Sequence, residues 1–113
     1  MQKDDLVYAG HMLDMARKAL DLVRDKNRSD YNSDEALRFA LAHVVQVIRE
    51  AARHVSKKFC DANSQIPWKA IVGMRHKVMH DYMNVDEDVV WDTVIKELSP
   101  LVAELEKIVP PES

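Results

Sequence analysis

The chain has 113 residues, of which 47% are hydrophobic and 31% charged, and this composition is typical of one small globular domain. The net charge of −3 argues against a generic basic nucleic-acid coat protein, so RNA binding would need a local basic patch. The single cysteine, Cys60, excludes an internal disulfide and is typical of a reducing cytoplasm. We see neither a signal-peptide apolar block nor an apolar run near the ~20 residues that span a bilayer. We therefore expect one cytoplasmic domain over residues 1–113, with no membrane contact.

Apolar residues recur at steps of three and four along the first half of the chain, which predicts two amphipathic helices. The first should run from about residue 4 to 25. Residues 27–33 have the composition of a turn. Ser33 is the predicted cap of the second helix, which should end near residue 59. With two glycines and four prolines in the whole chain, the pattern predicts an all-α fold.

The second half continues the helical pattern, with one unusual position. Pro67 suits the first position of a third helix. Its stripe comprises Trp68, Ile71, Arg75, Val78 and Tyr82, so Arg75 occupies a slot that periodicity assigns to the interior or to an interface. Asp86 should cap a last helix with a stripe over residues 90–108, which Pro100 could split in two. We predict an antiparallel bundle of four to five helices.

The third helix also carries residues that suit RNA cleavage. His80 can act as a base on a ribose 2′-OH or as an acid on the departing oxygen, and Arg75 can stabilise the phosphoryl charge. His76 lies one turn before His80 and could support it. Arg75 and His80 are about 140° apart on an ideal helix, so a cleft where two copies of this helix meet is the more natural site. Tyr82, seven residues from Arg75, should border that cleft.

Each of these features has a simpler structural explanation. Arg75 could snorkel or pair with Glu50, His80 could be a structural histidine, and Tyr82 could serve packing alone. His76 and His80 have the spacing of a helical zinc pair, but we find no third ligand and predict no metal site and no cofactor. A basic ridge, Arg49, Arg53 and Lys57, could track an RNA backbone or be an ordinary solvated face.

The surroundings of Arg75, His80 and Tyr82 resemble the HEPN-domain proteins of the DUF86 branch, the HepT-like toxins. The family signature is an arginine, four residues, a histidine, one residue and a tyrosine, which these residues match. The flanking family pattern is matched by Ile66-Pro67-Trp68, Gly73-Met74-Arg75, His80-Asp81-Tyr82, Val85-Asp86 and Val90-Trp91. The resemblance covers essentially the whole chain. It implies a HEPN-like bundle that dimerises through the motif-bearing helix.

The resemblance also implies an activity and its control. The family consists of metal-independent endoribonucleases that act as toxins of toxin–antitoxin pairs, and a minimal nucleotidyltransferase silences them by transferring AMP to the tyrosine matched by Tyr82. The added phosphate would repel RNA from Arg75. We expect RNA, not DNA, as the substrate, with Lys77 adding to the RNA-binding cations. Two residues depart from the family: His76 replaces an asparagine, and Arg49 replaces the glycine before Glu50.

Two other functions fit the same residues. The domain could be a non-catalytic helical module that holds a nucleotide or docks a nucleotidyltransferase at Arg75, because a fold does not fix an activity. A purely structural dimerisation bundle is the third possibility, and it predicts that the motif residues tolerate substitution.

Overall fold

Six α-helices make up the part of the chain that the structure describes. The structure is a computed structural model; it describes residues 2–73 and 86–111, with side chains from residue 4 onward. The helices are α1 Gln2–Val23, α2 Arg28–Ser33, α3 Glu35–Arg53, α4 Lys57–Ala62, α5 Trp68–Gly73 and α6 Glu87–Ile108. Those two ranges contain no strand. The prediction of an all-α helical bundle is therefore confirmed.

The three long helices enclose the hydrophobic core. Helix α1 packs against α3 and α6, and α3 also contacts α5. Asp5, in the first turn of α1, accepts a hydrogen bond from Ser56, three residues after the end of α3, so these two helices are antiparallel. The side chains that are most completely buried come from α1 to α3, the loop before α5, and α6: Met12, Tyr31, Leu41, Val45, Ile48, Ile66, Val90, Val94, Leu98 and Leu105.

Residues 28–33 form a helix, α2, capped by Asn27, where the composition predicts a turn. The Asn27 side chain accepts a hydrogen bond from the Asp30 backbone N–H, and the Asp30 carboxylate accepts one from the Asn27 N–H, both at 2.9 Å. This reciprocal capping box stabilises a short helix with the same polar residues that favour turns. The predicted cap Ser33 is wrong, because Asp34 caps α3 by accepting from the Leu37 N–H at 3.1 Å.

The second predicted helix is also shorter than expected. Helix α3 ends at Arg53, and Ser56 is extended, with φ −67° and ψ 153°. Its hydroxyl accepts a hydrogen bond from the Phe59 N–H at 3.2 Å and so caps α4. The prediction of one helix to residue 59 failed because Val55 and Phe59 continue the apolar spacing across this break.

The last helix matches its prediction closely. Asp86 caps α6 by accepting a hydrogen bond from the Val89 N–H at 3.1 Å. Pro100 lies inside α6 without dividing it. Proline removes one helical hydrogen bond, but Leu98, Leu101 and Leu105 are buried on either side of it and keep the helix against the core. None of the described helices has both the length and the hydropathy needed to cross a membrane.

Candidate functional site

The predicted site residues divide between two parts of the chain. Five of them lie outside the described residues: Arg75, His76, Lys77, His80 and Tyr82. Their roles and the two-fold cleft stay predictions. The other four, Arg49, Glu50, Arg53 and Lys57, lie where α3 ends and α4 begins. This corner is the part of the candidate site for which the structure gives geometry.

Glu50 is the centre of the corner, and three basic side chains contact its carboxylate. Arg49 Nη2 lies 3.5 Å from Oε1, and Arg53 Nη2 lies 3.7 Å from Oε2. His54 Nε2 lies 3.3 Å from Oε2, and it adds a positive charge when protonated. The Glu50 side chain is half-exposed, so solvent screens these attractions and each contributes well under about 1 kcal/mol. The carboxylate therefore offsets part of the positive charge of the corner.

Arg49 does not belong to a solvent-facing ridge. Its side chain is only 7% exposed, whereas that of Arg53 is 48% exposed. Consecutive helical residues are about 100° apart, which turns Arg49 away from the outer face that carries Glu50. Its two hydrogen bonds, to Gln46 at 3.4 Å and Glu50 at 3.5 Å, are long for a buried guanidinium.

Lys57 is separated from Arg53 by the break between α3 and α4. The predicted ridge of Arg49, Arg53 and Lys57 therefore does not follow one helix face. Lys57 is 89% exposed and pairs with Asp61 at 2.9 Å, a hydrogen bond that raises the pKa of the lysine. What the structure shows instead is a basic corner at the junction of α3 and α4, where Arg53, Lys57 and Lys58 are exposed. Such a corner can attract a phosphate backbone without reading sequence.

His54 and Tyr8 join this corner, although neither was among the predicted site residues. The two rings stack with centroids 5.2 Å apart and planes 21° apart. His54 thus lies between the Tyr8 ring and the Glu50 carboxylate. The i, i+4 spacing of Glu50 and His54 was the available signal for their contact. The position of Tyr8 has no such signal, because it comes from the packing of α1 on α3.

Asp5 holds the corner in place from α1. Its buried carboxylate accepts hydrogen bonds from the Ser56 N–H at 2.8 Å and from the Ser56 hydroxyl at 2.7 Å. Because Ser56 caps α4, this contact ties the start of α4 to the first turn of α1. Lys57 and Lys58 are the first residues of α4, so Asp5 helps to hold them in place.

The described residues offer little support for other chemistry. They contain no cluster of histidine, cysteine, aspartate or glutamate side chains that could hold a metal ion. Burial raises the pKa of the Cys60 thiol, which keeps it protonated and weakly nucleophilic near neutral pH. A groove of about 520 Å³ lies between α5 and α6, with Ile48, Ile71 and Leu101 in its lining. None of the four described site residues lines it.

In each comparison that gives a match, the similar family or protein is described as a ribonuclease. A family model for HepT-like ribonucleases matches residues 12–108. A provisionally named RNase of Caldanaerobacter subterraneus subsp. tengcongensis is 31% identical over 101 residues, covering 89% of this chain and 90% of the relative. A provisionally named ribonuclease HepT of Thermococcus cleftensis is 30% identical over 95 residues, which is 80% of this chain and 86% of the relative. No solved structure matches the chain.

Proposed function

Because the chain belongs to the HepT-like ribonuclease family, we propose that it is a cytoplasmic endoribonuclease that cleaves RNA without a metal ion. The observation that carries this proposal is the spacing of Arg75, His80 and Tyr82 within a chain that the family model matches over residues 12–108. Several relatives bear provisional RNase names, which supports RNA cleavage as the general activity.

The proposed reaction is an internal displacement at phosphorus. A base removes the 2′-OH proton, the 2′-oxygen bonds to the adjacent phosphorus, and the bond to the 5′-oxygen breaks. An acid protonates the departing 5′-oxygen, leaving a 2′,3′-cyclic phosphate and a 5′-OH. His80 supplies one of these proton transfers, with His76 in support, and the Arg75 guanidinium stabilises the negative charge that builds on the phosphoryl oxygens.

The basic corner supports this proposal in two ways. Glu50 already has Arg49, Arg53 and His54 within 3.7 Å, which makes it a weaker candidate for neutralising Arg75. The exposed cations Arg53 and Lys57 can hold the RNA backbone, with Lys77 as a further proposed contact. Binding of this kind rests on charge, so we expect the affinity for RNA to fall steeply with salt.

Assembly and control complete the proposal. Two chains form a homodimer, and each contributes Arg75 and His80 to a shared cleft. A minimal nucleotidyltransferase acts as antitoxin: the Tyr82 hydroxyl attacks the α-phosphorus of ATP, loses its proton and releases pyrophosphate. The AMP group that remains blocks the cleft and repels RNA.

The deciding experiment compares wild type with His80→Ala on a mixed pool of RNAs in the presence of EDTA. We expect wild type to yield 2′,3′-cyclic phosphate ends and the variant to lose at least about 100-fold in rate, as expected for a general acid or base. Size-exclusion chromatography should show the same dimer for both proteins. Equal cleavage by the two proteins would remove His80 from the mechanism, and loss of wild-type activity in EDTA would refute metal independence.

One observation favours a non-catalytic alternative, in which the domain binds a nucleotide or a nucleotidyltransferase. Burial of Arg49 and the break before Lys57 interrupt the predicted ridge along which a long RNA backbone would bind. This alternative predicts that the protein is inert toward RNA, yet binds ATP or AMP in a way that Arg75→Ala abolishes. Isothermal titration with each nucleotide distinguishes the two functions.

A further inference from the structure

Helix α2 is tied to the first turn of α6 by a group of contacts that the proposed mechanism does not use. Tyr31 is completely buried, and its hydroxyl donates a 2.9 Å hydrogen bond to the Glu87 carbonyl oxygen. Its ring packs on Trp91, with centroids 4.9 Å apart. Arg28 lies over the same ring at 5.6 Å and pairs with Asp88. The short α2 is therefore anchored to the beginning of α6 on several sides.

Arg38, on α3, forms hydrogen bonds with residues of both α2 and α6. From α3, its Nε donates to the Glu87 carboxylate at 3.1 Å, and its Nη1 donates to the Tyr31 carbonyl at 3.1 Å and to the Asn32 carbonyl. Only 20% of the Arg38 side chain is exposed, so solvent screens this pair less than the surface pairs of the chain. One guanidinium thus holds the end of α2 and the start of α6 together. We call Tyr31, Arg38 and Glu87 the α6 clamp.

The α6 clamp lies close in the chain to the motif residues. Glu87 follows Tyr82 by five residues and His80 by seven. The connection from Tyr82 to Glu87 is therefore short, and it ends in the first turn of α6. Displacing that turn moves the end of the connection that leads back along the chain to both residues. Misplacement of a reacting group by about 1 Å can cost as much as 100-fold in rate.

We propose that Tyr31 and Arg38 are positioning residues for RNA cleavage, acting through the first turn of α6 without touching the substrate. This inference rests on the proposed function. The Tyr31 hydroxyl supplies a directed hydrogen bond to the start of α6 that a buried apolar ring of similar size would lack. The hydroxyl stays protonated in its role as donor, since burial, followed by the charge of Glu87, raises the pKa of Tyr31 to about 12.

The test uses the full chain and two graded substitutions. Tyr31→Phe removes the donor to Glu87 and keeps the ring on Trp91. Arg38→Gln removes the charge, and Arg38→Lys restores it without the planar fork. We expect Tyr31→Phe and Arg38→Gln to lower kcat about fivefold to tenfold, with KM changed less than twofold, because the RNA contacts remain. Arg38→Lys should recover part of the lost kcat.

The matched control is Arg17→Gln, which breaks a 2.7 Å ion pair with Glu106 at the opposite end of α6. It should leave kcat and KM unchanged. Amide hydrogen exchange at Val90 and Trp91, in the first turns of α6, should speed up in Tyr31→Phe and stay at the wild-type rate in Arg17→Gln. Hydrogen exchange needs no nuclease activity, and it measures directly how firmly the first turns of α6 are held.

The possible outcomes distinguish the positioning inference from the proposed RNA cleavage itself. If wild type cleaves RNA and both clamp variants match it in kcat, the positioning inference is overturned and the proposed function stands. The same holds if Arg17→Gln loses as much kcat as the clamp variants do. If wild type cleaves no RNA, the proposed function fails and takes this inference with it.

Discussion

Arg49 and Glu50 are neighbours in the sequence, yet the fold gives their side chains opposite surroundings. Glu50 faces solvent with three basic contacts, and Arg49 is buried with two long hydrogen bonds. A buried charge with weak partners contributes little to stability, and an apolar side chain of similar size is often as good. The arginine at this position, where the family usually has glycine, therefore has no stabilising contact in the described residues that would account for it.

The Tyr82 hydroxyl is the proposed target of AMP transfer, and removing it tests that proposal. Incubation with the cognate nucleotidyltransferase and ATP should add the mass of AMP to wild type and stop cleavage, because the new phosphate repels RNA from Arg75. Tyr82→Phe lacks the attacking oxygen and should gain no mass. Intact-protein mass spectrometry measures this, with Tyr8→Phe as the matched control that should still be modified. An AMP adduct on Tyr82→Phe would show that the target is another residue.

Tyr31 predicts a pH dependence of stability in the alkaline range. Burial and the charge of Glu87 raise its pKa to about 12 from the usual 10.0. The folded chain keeps a proton that the unfolded chain releases, so this contribution is complete below about pH 10 and is lost as the pH rises toward 12. Urea unfolding at about pH 9, 10 and 11 should show a steeper loss of stability for wild type than for Tyr31→Phe. Parallel curves for the two proteins would contradict the raised pKa.

At the scale of elements, the short helices decide where the charged groups lie. Asp5 accepts two hydrogen bonds from Ser56, the cap of α4, and so supports the start of that helix. Helix α2 contacts α6 through Tyr31, and this anchors the first turn of α6. In both places a polar contact between distant residues directs an element that its own sequence would form weakly, since isolated helices of six residues are not stable in water.

The Asp5–Ser56 contact gives a prediction for the stability of the corner. Asp5→Ala leaves the Ser56 N–H and hydroxyl without their acceptor, so we expect a loss of about 2–3 kcal/mol in the free energy of unfolding. Asp4→Ala is the matched control, because Asp4 is exposed and should change stability by less than about 0.5 kcal/mol. Urea denaturation measures both. Similar losses for the two variants would mean that the buried hydrogen bonds contribute nothing specific.

At the scale of the whole molecule, the central prediction is a site shared between two copies. The Arg75→Ala variant and the His80→Ala variant should each be inactive alone. If Arg75 of one protomer works with His80 of the other, unfolding and refolding an equal mixture should restore about a quarter of wild-type activity, because half the dimers are mixed and each has one intact site. RNA cleavage after refolding measures this. A mixture of Arg75→Ala with the Arg75→Ala/His80→Ala double variant should stay inactive.

No activity in the mixture would place Arg75 and His80 of one protomer in the same site, and it would argue against the shared cleft.

The net charge of the chain gives a prediction for salt dependence, which the same RNA cleavage assay tests at several salt concentrations. The chain carries a net −3, so we expect RNA to bind at a local basic patch such as the basic corner, and that binding should weaken as salt rises.

Much of the fold follows from patterns confined to neighbouring residues. The apolar stripes predicted α1, α3 and α6, and Asp86 was correctly identified as the cap of α6, because its signal lies within one turn. The capping box of Asn27 and Asp30 misled the prediction, since the same polar residues favour turns and helix starts. Glu50 and Arg53 were found by their charge, whereas Tyr8 and Asp5 gave no local sign of their roles.

The sequence by itself determined the three long helices, their apolar faces, and the residue types that could cleave RNA. Those properties depend on periodicity and on hydrogen bonds within a few residues. Only the tertiary structure decided that Arg49 is buried, that α3 stops before Ser56, and that Tyr31 holds the start of α6. These features depend on contacts such as Asp5 with Ser56, 51 residues apart, and Tyr31 with Glu87, 56 apart. Such contacts exist only once the chain has packed, because side chains this far apart in sequence meet only around a common core.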